Sequence, residues 1–247
     1  NATMQVESYK CYVGGLPQKR TLPFQYKAPF SPIDVIEEYI RPARYIKDGK
    51  VITKPALSES EFMDFDEIGT LEAFNTDGLR SLLFTMNIPN LIEKTMRYPG
   101  HIDYIKMLRE SGFFGEEEID VKSKKIKPIE LTAKLLFKQW KLEKDESEFT
   151  VMKIVITGNK NGKNVCYQYD LLDRYDDETG ISSMARTTGY SATAAVDLVL
   201  SGDFKNIGIN PPEFIGAEKG CLEKMLKYQE ERGVKYKVNR TFLSTSA

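Results

Sequence analysis

The sequence is poor in the residues that bind metals and form disulfides. Its 247 residues include three cysteines, one histidine and one tryptophan. Because a structural zinc site commonly uses four cysteine or histidine ligands, we expect no metal site. Cys11, Cys166 and Cys221 are odd in number, far apart and outside any CxxC pattern. This arrangement predicts reduced thiols and a cytoplasmic location.

The sequence also lacks an excess of charge and any long apolar run. Lysine plus arginine (35) nearly balance aspartate plus glutamate (36), so there is no basic footprint for nucleic acid. No stretch approaches the roughly 20 apolar residues of a membrane span, and the N-terminus shows no signal-peptide pattern. The densest basic run, residues 122–127, follows acidic residues 116–118 and predicts a solvated loop. We therefore expect neither nucleic acid nor a membrane as a partner.

Glycine-rich nucleotide motifs are missing as well. No G-x-G-x-x-G follows a strand, and no G-x-x-x-x-G-K-[ST] is present. The glycine-bearing segment 158–162 joins two predicted strands, so it offers no helix N-terminus to a phosphate. Composition and spacing alone therefore identify no chemistry.

Apolar periodicity predicts strands, mostly in hairpin-like pairs, with helices between them. The strands are expected at 6–13, 45–52 (a hairpin), 61–67, 70–74, 91–98, 149–157, 164–172 and 234–238. The helices are expected at 31–41, 77–86, 102–108, 129–142, 182–200 and 220–232. Gly189 falls inside a helix, which predicts a kink or a close contact. The pattern predicts an α+β fold, with a mixed, mostly antiparallel sheet and helices on one face.

Five polar segments, taken in order, resemble one protein family. They are YVGGLP (12–17), VIEEYIRPAR (35–44), LEAFNTDGL (71–79), TMRYPGH (95–101) and MARTTG (184–189). Their order and spacing resemble the C-terminal domain of the saccharopine dehydrogenase family, over residues 9–238. Within that family, RPAR and NTDGL look closest to bacterial L-lysine 6-dehydrogenases.

The resemblance implies a domain organisation. The sheet and its helices should be similar to the C-terminal domain of glyceraldehyde-3-phosphate dehydrogenase. Residues 1–210 would form a substrate-binding and dimerisation domain, giving a homodimer. Residues 211–247 would return toward a Rossmann domain that is missing from this chain. That domain would supply most contacts to NAD or NADP, so the chain alone is expected to be inactive.

The resemblance also implies an activity, the oxidation of a C–NH or C–NH2 bond of an amino acid. Fungal saccharopine reductases tend to have cysteine in place of Val13, and arginine and serine in place of Thr76 and Gly78. Without that arginine to hold a second carboxylate, L-lysine is favoured as the substrate. The alternatives are a saccharopine or carboxynorspermidine dehydrogenase and, from another class, a non-catalytic binding or oligomerisation domain.

The first candidate site residues come from two of the segments. The resemblance implies that Gly14, Gly15 and Leu16 place backbone amides beside the substrate and the nicotinamide. The residues themselves equally fit a tight turn that ends a strand. Asn75 would bind an α-carboxylate and Asp77 an ammonium group, although Asp77 also suits the N-cap of the following helix.

The remaining candidates could hold an anion or move a proton. Arg97, at a strand end, is typical of a guanidinium that binds a carboxylate bidentately, or of an ordinary ion pair. His101 begins a helix and is the candidate catalytic proton carrier, unless it only packs or caps the helix. Arg186 and Thr187, near a helix start, are candidates for binding the substrate carboxylate.

Overall fold

A computed structural model describes residues 4–28, 31–143 and 146–243. Within these ranges the chain forms eleven strands and seven helices. The strands are β1 (Gln5–Pro17), β2 (Ala43–Lys47), β3 (Lys50–Lys54), β4 (Glu61–Phe65), β5 (Gly69–Asn75), β6 (Asn90–Arg97), β7 (Ile119–Val121), β8 (Lys124–Ile126), β9 (Glu148–Lys160), β10 (Lys163–Arg174) and β11 (Tyr236–Phe242). The helices are α1 (Pro32–Ile40), α2 (Leu82–Thr85), α3 (His101–Glu110), α4 (Pro128–Trp140), α5 (Ser183–Leu200), α6 (Pro212–Ala217) and α7 (Cys221–Glu230).

Nine of these strands form one mixed sheet. Its order is β11-β10-β9-β1-β6-β2-β3, and β5 joins the later part of β6 and carries β4 at its outer side. The β1–β6 pair is parallel, and the other pairs are antiparallel. The predicted α+β fold with a mixed, mostly antiparallel sheet is therefore confirmed.

Two hydrophobic layers hold the sheet. On one face, α1, α3 and α4 pack around Trp140 and meet the sheet at Phe74; both side chains are fully buried. Side chains alternate between faces along a strand, so Leu16 and Met96 point to the opposite face. There they pack with Phe65, at the tip of the β4–β5 hairpin. One face thus belongs to the helices, and the hairpin covers part of the other.

The C-terminal region is built into the same sheet. Strand β11 pairs with β10 from Leu171↔Tyr236 to Val165↔Phe242. It therefore begins two residues after the predicted start at residue 234. Helix α7 packs on α5 through Leu198 and Cys221. The loop between α5 and α6 exposes two isoleucines, Ile207 at 99% and Ile209 at 100%. Among the described residues, no helix is long and apolar enough to cross a membrane.

Several local predictions were wrong. Residues 14–17 do not form a turn, because β1 stays paired with β9 as far as Pro17↔Glu148. The predicted helix from Asp77 is reduced to the single turn of α2. Residues 119–126 form the exposed β7–β8 hairpin instead of a loop. Gly189 marks neither a kink nor a close contact, since α5 is continuous and a Cβ there would meet no atom within 4 Å.

A pair of glycine substitutions tests the packing of the central strands. A Cβ on Gly14 would lie 2.8 Å from the Met96 carbonyl oxygen, so we expect Gly14→Ala to lower the free energy of unfolding by about 1–3 kcal/mol. Gly189→Ala, in an open part of α5, should raise it by about 0.5–1 kcal/mol, because alanine has the higher helix propensity. Urea unfolding measures both values, and equal effects of the two changes would refute this account.

Candidate active site

A cavity of about 350 Å³ opens on the helical face of the sheet. It lies between α1, the loop that follows β5, and strands β1 and β6. Its lining residues are Tyr9, Cys11, Val13, Glu38, Arg41, Thr76, Asp77, Gly78, Leu79, Arg80, Leu82, Glu93, Thr95 and Met152. Four of the five segments, YVGGLP, VIEEYIRPAR, LEAFNTDGL and TMRYPGH, thus contribute residues to one space, although they are distant in the sequence.

Glu93 forms the polar floor of this cavity. It stands opposite Cys11 in the β1–β6 register and is 8% exposed. Its Oε2 accepts a hydrogen bond of 2.9 Å from the Thr76 hydroxyl, which also contacts the Thr95 hydroxyl at 2.7 Å. Gly78 lies directly against the carboxylate, and a Cβ at this position would overlap it. A side chain at position 78 would therefore have to displace the Glu93 carboxylate.

Burial changes the acidity of the groups around the floor. It raises the pKa of Glu93 to about 7, against the hydrogen bond from Thr76, which lowers it. Burial likewise raises the pKa of the Cys11 thiol to about 12, with the nearby Glu93 charge adding to the shift. A carboxyl that titrates near neutrality inside a cleft is typical of functional sites. Cys11 stays a protonated thiol and contributes an apolar wall.

The acidic residues of the rim are paired with arginines. Asp77 accepts hydrogen bonds from Arg44 Nε at 2.9 Å and from Arg44 Nη2 at 2.8 Å. Burial alone would raise the pKa of Asp77, but Arg44 outweighs it and holds the pKa below its usual value. Glu38 lies 3.4 Å from the Arg97 guanidinium. Asp77 therefore borders the cavity, but its carboxylate already binds a cation of this chain.

Arg97 is buried in an aromatic cage next to the cavity. Its side chain is 3% exposed, and its guanidinium lies over the Tyr26 ring at 4.5 Å. Nε donates to the Tyr39 hydroxyl at 3.1 Å, and one terminal nitrogen donates to the Met96 carbonyl at 2.9 Å. Arg97 thus binds groups of this chain, and it contacts the lining of the cavity at Glu38.

His101 continues the same buried network. Its Nε2 lies 2.9 Å from the Tyr39 hydroxyl and its Nδ1 lies 2.9 Å from the Phe24 carbonyl oxygen. Burial, together with the Arg97 charge, lowers the pKa of His101 to about 3. The ring is therefore neutral, with Nδ1–H donating to Phe24 and Nε2 accepting from Tyr39. It is 1% exposed and does not border the cavity.

The glycine segment and Asn75 lie outside the cavity. Gly14, Gly15 and Leu16 are buried within β1, and Val13 is the residue of this segment that lines the cavity. Asn75 pairs with Lys94 in the sheet register, on the face opposite Glu93. Its amide donates there to Ser58 and to Glu59, at 3.1 and 2.9 Å.

Arg186 and Thr187 form part of a separate structural junction. The Arg186 guanidinium binds Asp176 at 2.6 Å, Asp173 at 3.3 Å and the Arg232 carbonyl at 3.2 Å. Thr187 donates to the Ser183 carbonyl inside α5. The start of α5 does bind a carboxylate, but it is that of Glu148, which accepts from the Ser183 amide. The expected anion site is thus occupied by the chain itself.

The sequence predictions and the cavity overlap at one residue. All nine predicted site residues lie in the described ranges, and Asp77 alone borders the cavity. Sequence reasoning missed Glu93, Thr76, Glu38 and Arg80. Glu93 did carry a signal in the sequence, because it lies two residues from both Leu91 and Thr95 and therefore on the same inward face of the strand. In the described part of the chain, no group of three or more metal-ligating side chains could hold a metal ion.

A known protein family matches most of the chain. The family described as "Saccharopine dehydrogenase C-terminal domain" matches residues 1–234. The mitochondrial alpha-aminoadipic semialdehyde synthase of Mus musculus is 29% identical over 121 residues, which are 45% of this chain and 13% of that protein. The synthase of Bos taurus is 32% identical over 117 residues, 44% of this chain and 12% of that protein.

A solved structure shares the fold. The apo histidine-tagged saccharopine dehydrogenase (L-Glu forming) from Saccharomyces cerevisiae superposes with a TM-score of 0.75 at 19% identity. The match covers 96% of this chain and 67% of that one. At this identity the likeness supports the fold and leaves the substrate open.

The network around Arg97 gives a stability prediction. Tyr39→Phe removes the hydroxyl between Arg97 and His101 and leaves two buried polar groups without a partner. We expect a loss of about 1–3 kcal/mol in the free energy of unfolding. Tyr26→Phe is the matched control, because its hydroxyl lies at 3.5 Å from Arg97 and its ring stays in place. An equal loss in both variants, measured by urea unfolding, would show that the Tyr39 hydroxyl has no special role.

Proposed function

Because the chain belongs to the saccharopine dehydrogenase C-terminal domain family, we propose that it is the substrate-binding part of an NAD(P)-dependent amino-acid oxidoreductase. The enzyme would oxidise a C–NH or C–NH2 bond, with L-lysine as the substrate, as in an L-lysine 6-dehydrogenase. One observation carries the proposal: four of the five family-like segments meet at one cavity, which holds a buried carboxyl and, at its rim, an exposed arginine, Arg80.

The charges of the cavity suit an amino acid. The exposed Arg80 offers a guanidinium to a carboxylate, and the floor offers the carboxyl of Glu93 to an amine. Asp77 and Glu38 are paired with Arg44 and Arg97. The protein's contribution would be to bind the amino acid and fix the carbon that loses hydride, while the nicotinamide accepts the hydride.

The small residues of the cavity favour lysine. Thr76 and Gly78 occupy the positions at which fungal saccharopine reductases tend to have arginine and serine. The Thr76 hydroxyl contacts Glu93 and Thr95, so this position offers no cation to a second substrate carboxylate. Lysine has one carboxylate and does not need a second cation.

Saccharopine is the second candidate substrate, because the similar solved structure carries that name. A saccharopine dehydrogenase breaks a C–N bond of a secondary amine with the same hydride transfer. A carboxynorspermidine dehydrogenase is a third form of the same chemistry. The alternative from another class is a non-catalytic binding or oligomerisation domain.

Calorimetry with a ligand panel tests the proposal. We expect the chain to bind L-lysine about tenfold or more tightly than saccharopine, since an unpaired carboxylate in a cleft costs at least the value of one charged hydrogen bond. Gly78→Ala should weaken lysine binding by a similar factor, because the methyl group displaces the Glu93 carboxylate. Gly189→Ala is the control and should bind as the unaltered chain does. Tighter binding of saccharopine would favour the second candidate. Binding of none of L-lysine, saccharopine and carboxynorspermidine would favour a non-catalytic oligomerisation role.

The location of the cofactor site is tested by turnover. We propose that NAD or NADP is bound mainly by a nucleotide-binding domain outside this chain. The chain mixed with L-lysine and either nucleotide should therefore produce no reduced nicotinamide, because it can hold the amino acid but not the hydride acceptor. Formation of reduced nicotinamide by the purified chain would refute this.

A further inference from the structure

Glu93 differs from the other acidic residues of the cavity. Within the described residues, Glu38 and Asp77 each form an ion pair with an arginine, whereas Glu93 belongs to none. Burying a carboxyl without a cationic partner is unfavourable. Its neighbours are the Thr76 hydroxyl, which donates to Oε2, the backbone of Gly78, and Cys11, opposite in the strand register.

We propose that the Glu93 carboxylate binds the ammonium group on the carbon to be oxidised, which in lysine is the ε-ammonium. The inference rests on the proposed function and deepens it, since it assigns the amine end of the substrate to the cavity floor. An ammonium placed there would supply the missing cation and form a charged hydrogen bond in a site partly shielded from water. Arg80, at the rim, is left for the carboxylate end.

The surroundings of Glu93 fix how binding should depend on pH. Burial raises the pKa of Glu93 to about 7, so its negative charge develops as the pH rises through neutrality. An ammonium group favours the ionised form, so binding near or below pH 7 should release a proton from Glu93. Affinity for the amine should therefore rise between about pH 6 and about pH 8, where lysine itself keeps its ε-charge.

The other groups facing Glu93 do not share this behaviour, with one exception. Burial raises the pKa of Tyr9 and of Cys11, so both stay protonated. Arg97 from β6, Arg80 from the loop and Arg41 from the end of α1 contribute fixed positive charge. Asp77 is held ionised by Arg44. Burial also raises the pKa of Glu38, while Arg97 lowers it. Removing Glu93 alone therefore separates its titration from that of Glu38.

The test compares L-lysine with 2-aminohexanoate, which is lysine without the ε-amino group. We expect the chain at about pH 8 to bind lysine about tenfold more tightly than 2-aminohexanoate, the factor of one hydrogen bond to a charged group. At about pH 6 this preference should shrink, and calorimetry in buffers of different ionisation enthalpy should detect a released proton. Glu93→Gln keeps the side-chain shape and an acceptor for Thr76, and should lose both the preference and the proton release.

Glu72→Gln is the matched control. Glu72 is also a buried glutamate of the sheet, 6% exposed, but it accepts from the Gly100 amide and lies outside the cavity. This variant should keep the preference and the proton release. Equal binding of the two ligands by the unaltered chain, or an unchanged preference in Glu93→Gln, overturns the role of Glu93 and leaves the proposed function standing. Binding of neither ligand overturns both.

Discussion

The parallel pairing of β1 with β6 is the contact on which the cavity depends. Parallel neighbours cannot be joined by a tight turn, so a long connection must lie between them. That connection carries α1, β2 to β5 and the loop over Glu93, and it supplies Glu38, Arg41 and residues 76–80 to the lining of the cavity. The pairing itself sets Cys11 opposite Glu93 and Val13 opposite Thr95. The absent side chain of Gly14 lets the two strands approach near Met96.

A buried cation beside the cavity organises the helices above it. Arg97 lies at the end of β6 and binds to α1 through Tyr39 and Glu38 and to the preceding loop through Tyr26. Desolvating a guanidinium is costly unless hydrogen bonds and opposite charge replace the lost water. The rings of Tyr26 and Tyr39 and the carboxylate of Glu38 provide this replacement. The position of α1, and hence one wall of the cavity, is thereby tied to a single residue of the central sheet.

Local sequence patterns predicted the elements better than the site. The β9–β10 hairpin and helix α5 follow from alternation, turn residues and apolar spacing, all of which act between near neighbours. The partners of the polar residues are distant instead: Asp77 binds Arg44, 33 residues away, and Ser183 binds Glu148, 35 residues away. A polar residue after a strand looks the same in sequence whether it caps a helix, binds an arginine or faces a substrate. The predicted turn at residues 14–17 was wrong for a similar reason, since close packing of strands and a turn both favour glycine.

Glu93 shows what kind of sequence signal does point to a site. A carboxyl on the inward face of a central strand reduces stability at neutral pH, because its pKa is raised on folding and the unfolded chain ionises it more easily. An apolar residue of similar size would pack there at lower cost, as Leu91 does two positions earlier. Gly78 adds a second local cost, because glycine loses more backbone entropy on folding than any other residue. Two unfavourable choices that fit each other in space are consistent with a cavity shaped for a ligand and not for stability.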